Sequence, residues 1–221
     1  MNSEDEETHT PAEFYSAFAN SVYRDSDEGK LQALEEQEIT GWEIDQDVNN
    51  IDRTAFRRKK ADGSGYDVIL ANRGTNKTRN ILPDLAIMFG GEANTKRYRE
   101  ANQQYKQLEQ KYHGENNKIA LASHSLGGNQ NLFLNRKHGV ESHSFNPGAS
   151  LSHMKQGFVK SLACWANPNW SSCKQAEKSH IYHTPLDPLS TASLFDRDHK
   201  HIHKRRSGQH PHTINNFLKN I

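Results

Sequence analysis

The sequence predicts an α/β chain, with a mainly parallel central sheet and helices on both faces. Three observations carry that expectation. Strand-length apolar runs alternate with longer stretches of helical period between Thr54 and Phe145, the order from which parallel sheets are built. Thr54–Lys59 and Tyr66–Ala71 flank Ala61-Asp62-Gly63-Ser64-Gly65, a hairpin signal. Further on, the apolar run Ile119-Ala120-Leu121-Ala122 turns through Ser123-His124-Ser125-Leu126-Gly127-Gly128 into a polar stretch able to start a helix. At 221 residues the chain suits one domain with a full core.

The elements follow in order. Residues 1–10 read as a flexible acidic tail, and 11–221 as the single domain. A first helix is expected near Thr10, with Pro11 at its first position and Glu13 in its first turn. Phe14, Ala17, Phe18 and Val22 give it an apolar face. A second helix runs through Leu31 and Leu34, and 41–51 is irregular. Beyond the hairpin, a polar helix spans Thr95–Tyr112 with Tyr98, Ala101, Tyr105 and Leu108 on one face. The 119–122 strand comes next, then a helix to about His138. Ser142–Phe145 is a strand closed by Asn146-Pro147-Gly148, and Lys178–His183 is a strand ending in Thr184-Pro185-Leu186-Asp187. A His- and Lys-rich segment leads to a last helix from about Thr213, with Phe217 and Leu218 as its core residues.

Composition narrows the partners. Apolar residues make up 33% and charged residues 25%, so the surface is polar. A net charge of +1 gives no field that singles out nucleic acid, and no nucleic-acid partner is expected. Thirteen histidines would raise the charge below pH 6. No run of 18 apolar residues occurs, so no transmembrane segment is expected. MNSEDEETHT lacks the apolar region of a signal peptide. A cytoplasmic site, signal-independent export and packaging in a virus particle all stay open. Cys164 and Cys173 form no disulfide framework; one local bridge between them is open.

The stretch KIALASHSLGGNQ carries the chemistry. A strand, a tight turn centred on a serine and a helix describe the nucleophile elbow of α/β-hydrolases, which holds the serine in strained backbone with its hydroxyl exposed above the carboxyl edge of the sheet. Small residues two before and two after let strand and helix approach; here they are Ser123 and Gly127, so the pattern is S-x-S-x-G. An ordinary strand-to-helix turn is the plainer alternative. In α/β-hydrolases the partners follow in the order Ser, Asp or Glu, His. Downstream of Ser125, Asp187 lies just past an expected strand; Asp196 and Asp198 in the charged segment are the distant alternatives. The backbone N–H of Leu126 comes with the elbow as an oxyanion donor. His124 reads as a packing or hydrogen-bonding residue.

The order of further motifs carries a resemblance. Arg73-Gly74-Thr75, then Asp84-Leu85, HSLGG, Asn146-Pro147-Gly148, Asp187-Pro188-Leu189-Ser190 and His212-Thr213-Ile214 to Phe217 together resemble the fungal-type (class 3) lipase family, most of all its small lipase-like branch, over roughly residues 40–221. The resemblance implies an α/β-hydrolase fold and serine-dependent cleavage of carboxylic esters, commonly of acylglycerols or phospholipids. It implies His212 as the base, with His210 chemically equivalent two residues earlier. It implies Thr75 as the second oxyanion donor and Asp84 as a loop anchor. It also implies a lid in the segment holding Leu82, Leu85, Met88 and Phe89, for which a buried core segment is the alternative. Three departures stand out: Ser123 replaces a glycine, Asn72 stands where an aromatic usually precedes RGT, and the Asp187–His212 interval is short.

The expected function is a serine hydrolase of lipase, phospholipase or esterase type acting through an acyl-enzyme on Ser125, with Asp187 and His212 as its partners and no cofactor or metal. His201 and His203 lack partner acids or cysteines at metal-ligand spacing. The basic cluster 199–206 reads as a solvated loop or as a contact with an anionic membrane surface. Two other readings stay open: a catalytically silent lipase-like protein that binds lipid or protein, and a hydrolase of a small soluble ester or thioester.

Overall fold

The computed structural model describes residues 8–74, 92–147, 178–185, 187 and 199–220. Among these, seven strands form one sheet: β1 (Glu43–Ile44), β2 (Arg53–Lys59), β3 (Tyr66–Asn72), β4 (Lys118–His124), β5 (Glu141–Phe145), β6 (Ser179–His183) and β7 (His199–Ile202). Spatial order follows chain order. The β1–β2 and β2–β3 pairs are antiparallel, and every pair from β3 to β7 is parallel. Among the described residues four helices accompany it: α1 (Pro11–Ser21), α2 (Asp27–Glu35), α3 (Glu92–Lys111) and α4 (Leu126–His138).

Strand alternation assigns the layers. Side chains two apart share a face, so Ile69, Ala71, Ala120 and Ala122 pack with Phe14, Ala17 and Phe18 of α1. Val68, Leu70 and Leu121 point the other way, against Ala101 and Leu108 of α3 and Leu134 of α4. Helices therefore cover both faces of a mainly parallel sheet, the mixed α/β class its sequence predicts. Burying rings such as Phe14 and Phe18, exposed by 1% and 0%, contributes about 1.5–3 kcal/mol each.

Local signals explain the helix starts. Thr10 caps α1 in a reciprocal box with Glu13: its hydroxyl accepts the Glu13 N–H at 3.3 Å, and its own N–H donates to Glu13 Oε2 at 2.9 Å. Ser26 caps α2 through the N–H of Gly29 at 3.0 Å. Arg53, only 1% exposed, ties β2 to two helices. Its Nε and Nη2 donate to Gln130 Oε1 of α4 at 3.1 and 2.8 Å, and Nη2 also donates to the carbonyl of Arg97 in α3 at 3.0 Å.

Several expectations need correction. The last helix is a single 3₁₀ turn, Ile214–Asn216. Asn216 turns its amide back onto the carbonyls of His210, Pro211 and Thr213 at 3.0–3.3 Å, so the chain folds on itself instead of continuing. The basic segment does not begin as a loop: His199–Ile202 is a strand paired with β6. Its alternating charge hid it, because it pairs at the sheet edge. The irregular 41–51 stretch holds β1 and a 3₁₀ turn, Gln46–Val48. Of the expected tail, 1–7 lie outside the described residues, while His9 is buried with Nε2 at 2.7 Å from the Gln37 carbonyl. Among the described residues, no helix is long and apolar enough to cross a membrane.

Candidate active site

Parallel pairing from β3 to β7 brings five strand ends to one carboxyl edge. There β4 ends at His124, α4 begins at Leu126, and Ser125 between them has φ 58° and ψ −130°. A non-glycine residue in that region stores roughly 1–3 kcal/mol of strain. Its N–H donates to the Phe145 carbonyl at 3.0 Å, and its carbonyl accepts the Gly128 N–H at 2.9 Å, which holds the turn. Gly127 lets the helix come this close: a Cβ there would lie 2.3 Å from the Asn72 carbonyl oxygen.

Ser125, His212 and Asp187 meet at this edge. His212 Nε2 lies 2.8 Å from Ser125 Oγ, and His212 Nδ1 lies 3.1 Å from each carboxylate oxygen of Asp187. A carboxylate only accepts, so the imidazole carries its proton on Nδ1 and Nε2 accepts from the serine hydroxyl. All three are buried, at 6%, 5% and 1% exposure. His210, the other C-terminal candidate, is exposed and receives the His212 N–H on its Nδ1 at 3.2 Å. Leu126 is the first residue of α4, and the first N–H groups of a helix have no partner inside it. Thr75, Asp84, Asp196, Asp198, the expected lid residues Leu82, Leu85, Met88 and Phe89, and both cysteines lie outside the described residues.

Three side chains that sequence reasoning missed, or left without a function, frame the site: Asn146 and His124 are buried and Tyr23 is half-buried. Asn146, at φ 42°, follows β5; its Oδ1 accepts the Thr184 N–H at 3.0 Å and its Nδ2 donates to the Pro211 carbonyl at 2.9 Å. It thereby joins the end of β6, three residues before Asp187, to the loop that carries His212. Thr184 Oγ1 donates to the same carbonyl. Tyr23, just past α1, receives the Gly74 N–H on its hydroxyl at 3.1 Å. His124 turns away from Ser125 Oγ and puts Nε2 at 2.7 Å from the His212 carbonyl. Its role as a hydrogen-bonding residue agrees with the sequence reading; nothing in the sequence marked Tyr23.

No metal-ligand cluster of three or more His, Cys, Asp or Glu occurs among the described residues. A large groove lined by Tyr105, Tyr112, His138, Glu141 and His180 lies at the opposite, amino edge of the sheet, away from Ser125.

No protein-family model matches the sequence. No curated protein matches it either. Among solved structures, a crystal structure of lipase from Rhizopus microsporus var. chinensis aligns with 85% of this chain and 70% of its own, with a TM-score of 0.47 and 14% sequence identity.

Proposed function

We propose that the protein is a serine hydrolase that cleaves carboxylic esters through an acyl-enzyme on Ser125. The observation that carries this reading is the buried chain Ser125 Oγ, His212 Nε2, His212 Nδ1 and Asp187, anchored on a strained elbow. In the first step Ser125 Oγ bonds to the acyl carbon while its proton passes to His212 Nε2. Asp187 keeps the Nδ1 proton and stabilises the imidazolium. The tetrahedral oxyanion takes the Leu126 N–H and a second donor at Thr75, each worth about 3 kcal/mol in the transition state. The C–O bond then breaks, and the alkoxide leaves with the proton from Nε2. Water attacks the acyl-enzyme with His212 again as base, releasing the acid and restoring the serine. No cofactor enters these steps.

The substrate class within this reading is a lipid ester. Its support is the order of motifs that resembles class 3 lipases and the character of the carboxyl edge. Ile202, 79% exposed, stands there with exposed Lys204 and Arg205 beside it. On an anionic membrane each such cation contributes up to about 1 kcal/mol. A peripheral contact through 199–206 would bring the reaction centre to the lipid.

Reaction with a fluorophosphonate probe tests the reading. Labelling mapped to Ser125 and abolished in Ser125→Ala is the expected result. A wild-type protein that stays unlabelled, with detergent micelles present, would overturn it in favour of a binding scaffold. Hydrolysis of short soluble esters or thioesters, with no rise in the presence of vesicles, would overturn the lipid assignment alone.

A further inference from the structure

One hydrogen-bonded relay beside the reaction centre is not used by the chemistry above. It starts at Gly74, whose N–H donates to Tyr23 Oη at 3.1 Å. The Tyr23 hydroxyl lies 3.4 Å from His124 Nδ1, and His124 Nε2 lies 2.7 Å from the His212 carbonyl. A carbonyl can only accept, so the Nε2 of His124 carries the proton and its Nδ1 is the acceptor. The tyrosine hydroxyl must therefore donate to Nδ1 while accepting from Gly74. Every proton in the relay has one assigned place.

The relay joins three parts of the site that come from distant stretches of chain. Gly74 immediately precedes Thr75. His124 immediately precedes Ser125. His212 supplies the base, and its backbone, not its ring, takes the bond. Packing fits the same arrangement: a Cβ on Gly74 would stand 2.5 Å from Tyr23 Oη, 2.8 Å from the His124 carbonyl oxygen and 3.3 Å from Ser125 Cβ. Only glycine admits the tyrosine to this corner. Arg73 closes the outer side, with its guanidinium 5.7 Å from the Tyr23 ring centroid and Nη2 at 3.4 Å from the Tyr23 carbonyl.

We propose that Tyr23 and His124 are positioning residues for acyl transfer, setting the distance between the His212 loop, the nucleophile and the approach to the oxyanion donor. The proposal rests on the serine hydrolase reading. Burial, reinforced by the neighbouring His212, holds His124 down to about 3, and burial pushes Tyr23 up to about 12. Both groups thus stay neutral across the working pH range, and the relay keeps one tautomer while His212 cycles through its charged form. Misplacing a reacting group by about 1 Å costs roughly a hundredfold in rate, so loss of one relay bond belongs in the tenfold to hundredfold range.

The test uses the full chain with a fluorophosphonate and a series of probe concentrations. Tyr23→Phe keeps the ring and deletes only the hydroxyl. The expected result is a labelling rate constant at saturating probe that is roughly 10- to 100-fold lower, with half-saturation and melting temperature little changed. Labelling of Tyr23→Phe at the wild-type rate overturns the positioning role and leaves the hydrolase reading intact. A wild-type protein that is never labelled overturns both. Nitrogen-15 spectra of the histidine rings give a readout independent of activity. His124 should show a protonated Nε2 and a bare Nδ1 from pH 5 to 9, and a protonated Nδ1 overturns the relay.

Discussion

Asn146 donates its side-chain amide to the carbonyl of Pro211 at 2.9 Å, one residue before His212. Through its Oδ1 it also accepts the Thr184 N–H at 3.0 Å. One buried asparagine thus fixes the spacing between the Asp187 and His212 loops, and it does so at φ 42°, a conformation asparagine tolerates better than most residues. Asn146→Ala should cost about 2–4 kcal/mol, from the Thr184 N–H left without its partner plus backbone strain, while the Pro211 carbonyl keeps Thr184 Oγ1 and the Asn216 amide as donors. Asn146→Gly relieves the strain and should recover about 1 kcal/mol of that loss. Urea unfolding of both variants checks the pair. A loss below about 1 kcal/mol for Asn146→Ala would show that the loops hold their spacing without it.

Gly127 separates close approach from conformational freedom. Gly127→Ala puts a Cβ 2.3 Å from the Asn72 carbonyl oxygen, in backbone that cannot step aside without moving the elbow. Gly139, the left-handed cap of α4 at φ 68°, has nothing within 4 Å of the place a methyl group would take. Gly139→Ala should therefore cost only about 1 kcal/mol of strain. Gly127→Ala should cost upwards of about 3 kcal/mol, in the range of severe overpacking. Equal losses in a chemical denaturation series would mean that the elbow yields to the methyl group.

How much of this was legible in the sequence depends on whether a role is local. The elbow was readable because strand, serine and Gly127 sit within nine residues and every constraint on them is short-range. Asp187 and His212 were readable through their order and their places at strand end and final turn. Tyr23 was not: its partners Gly74 and His124 lie 51 and 101 positions away, and no local pattern encodes a contact of that separation. Asn146 read as the turn that closes a strand, which it is, while its bond to Pro211 spans 65 positions. Strand β7 escaped because an edge strand of alternating His and Lys has no apolar period. The last helix was overread from Phe217 and Leu218, when Asn215 and Asn216 favour turns over helix interiors.

Acid should destabilise the fold well above the carboxylate range. His143 is 3% exposed and stacks on the Tyr15 ring at 3.5 Å. Its Nε2 donates to Glu141 at 2.9 Å, and its Nδ1 faces the Tyr182 hydroxyl at 3.1 Å. Burial holds it down to about 4 in spite of the Glu141 carboxylate, and burial with the nearby His212 holds His124 down to about 3. The unfolded chain protonates both near pH 6.5, so it binds more protons than the native state below that pH. Stability therefore falls as pH drops from about 6.5, and the His143 contribution is fully lost near pH 4. Two such groups give a slope of roughly 2–3 kcal/mol per pH unit around pH 5. Urea midpoints at pH 7, 6 and 5 measure it, and His143→Gln should remove about half. A flat profile would mean that the native state accommodates both charges.

Ser123 occupies the small-residue position of the elbow, and its hydroxyl is the odd feature there. The residue is fully buried, and Oγ has no partner among the described residues. Its register neighbours on either side, Asn72 and Ser144, carry the same defect at Oδ1 and Oγ, while Asn72 spends its Nδ2 on Asn131 Oδ1 at 2.6 Å. A polar row thus runs beneath α4 with more lone pairs than donors. An unsatisfied buried hydroxyl costs about 1–3 kcal/mol. Ser123→Ala should accordingly raise stability by about 1 kcal/mol, whereas Ser123→Gly should come out near zero because added backbone freedom offsets the gain. Thermal unfolding of the two variants decides the matter. If Ser123→Ala instead loses about 1 kcal/mol, the hydroxyl is bonded in solution, and a buried water shared with Asn72 and Ser144 is the partner that the geometry allows.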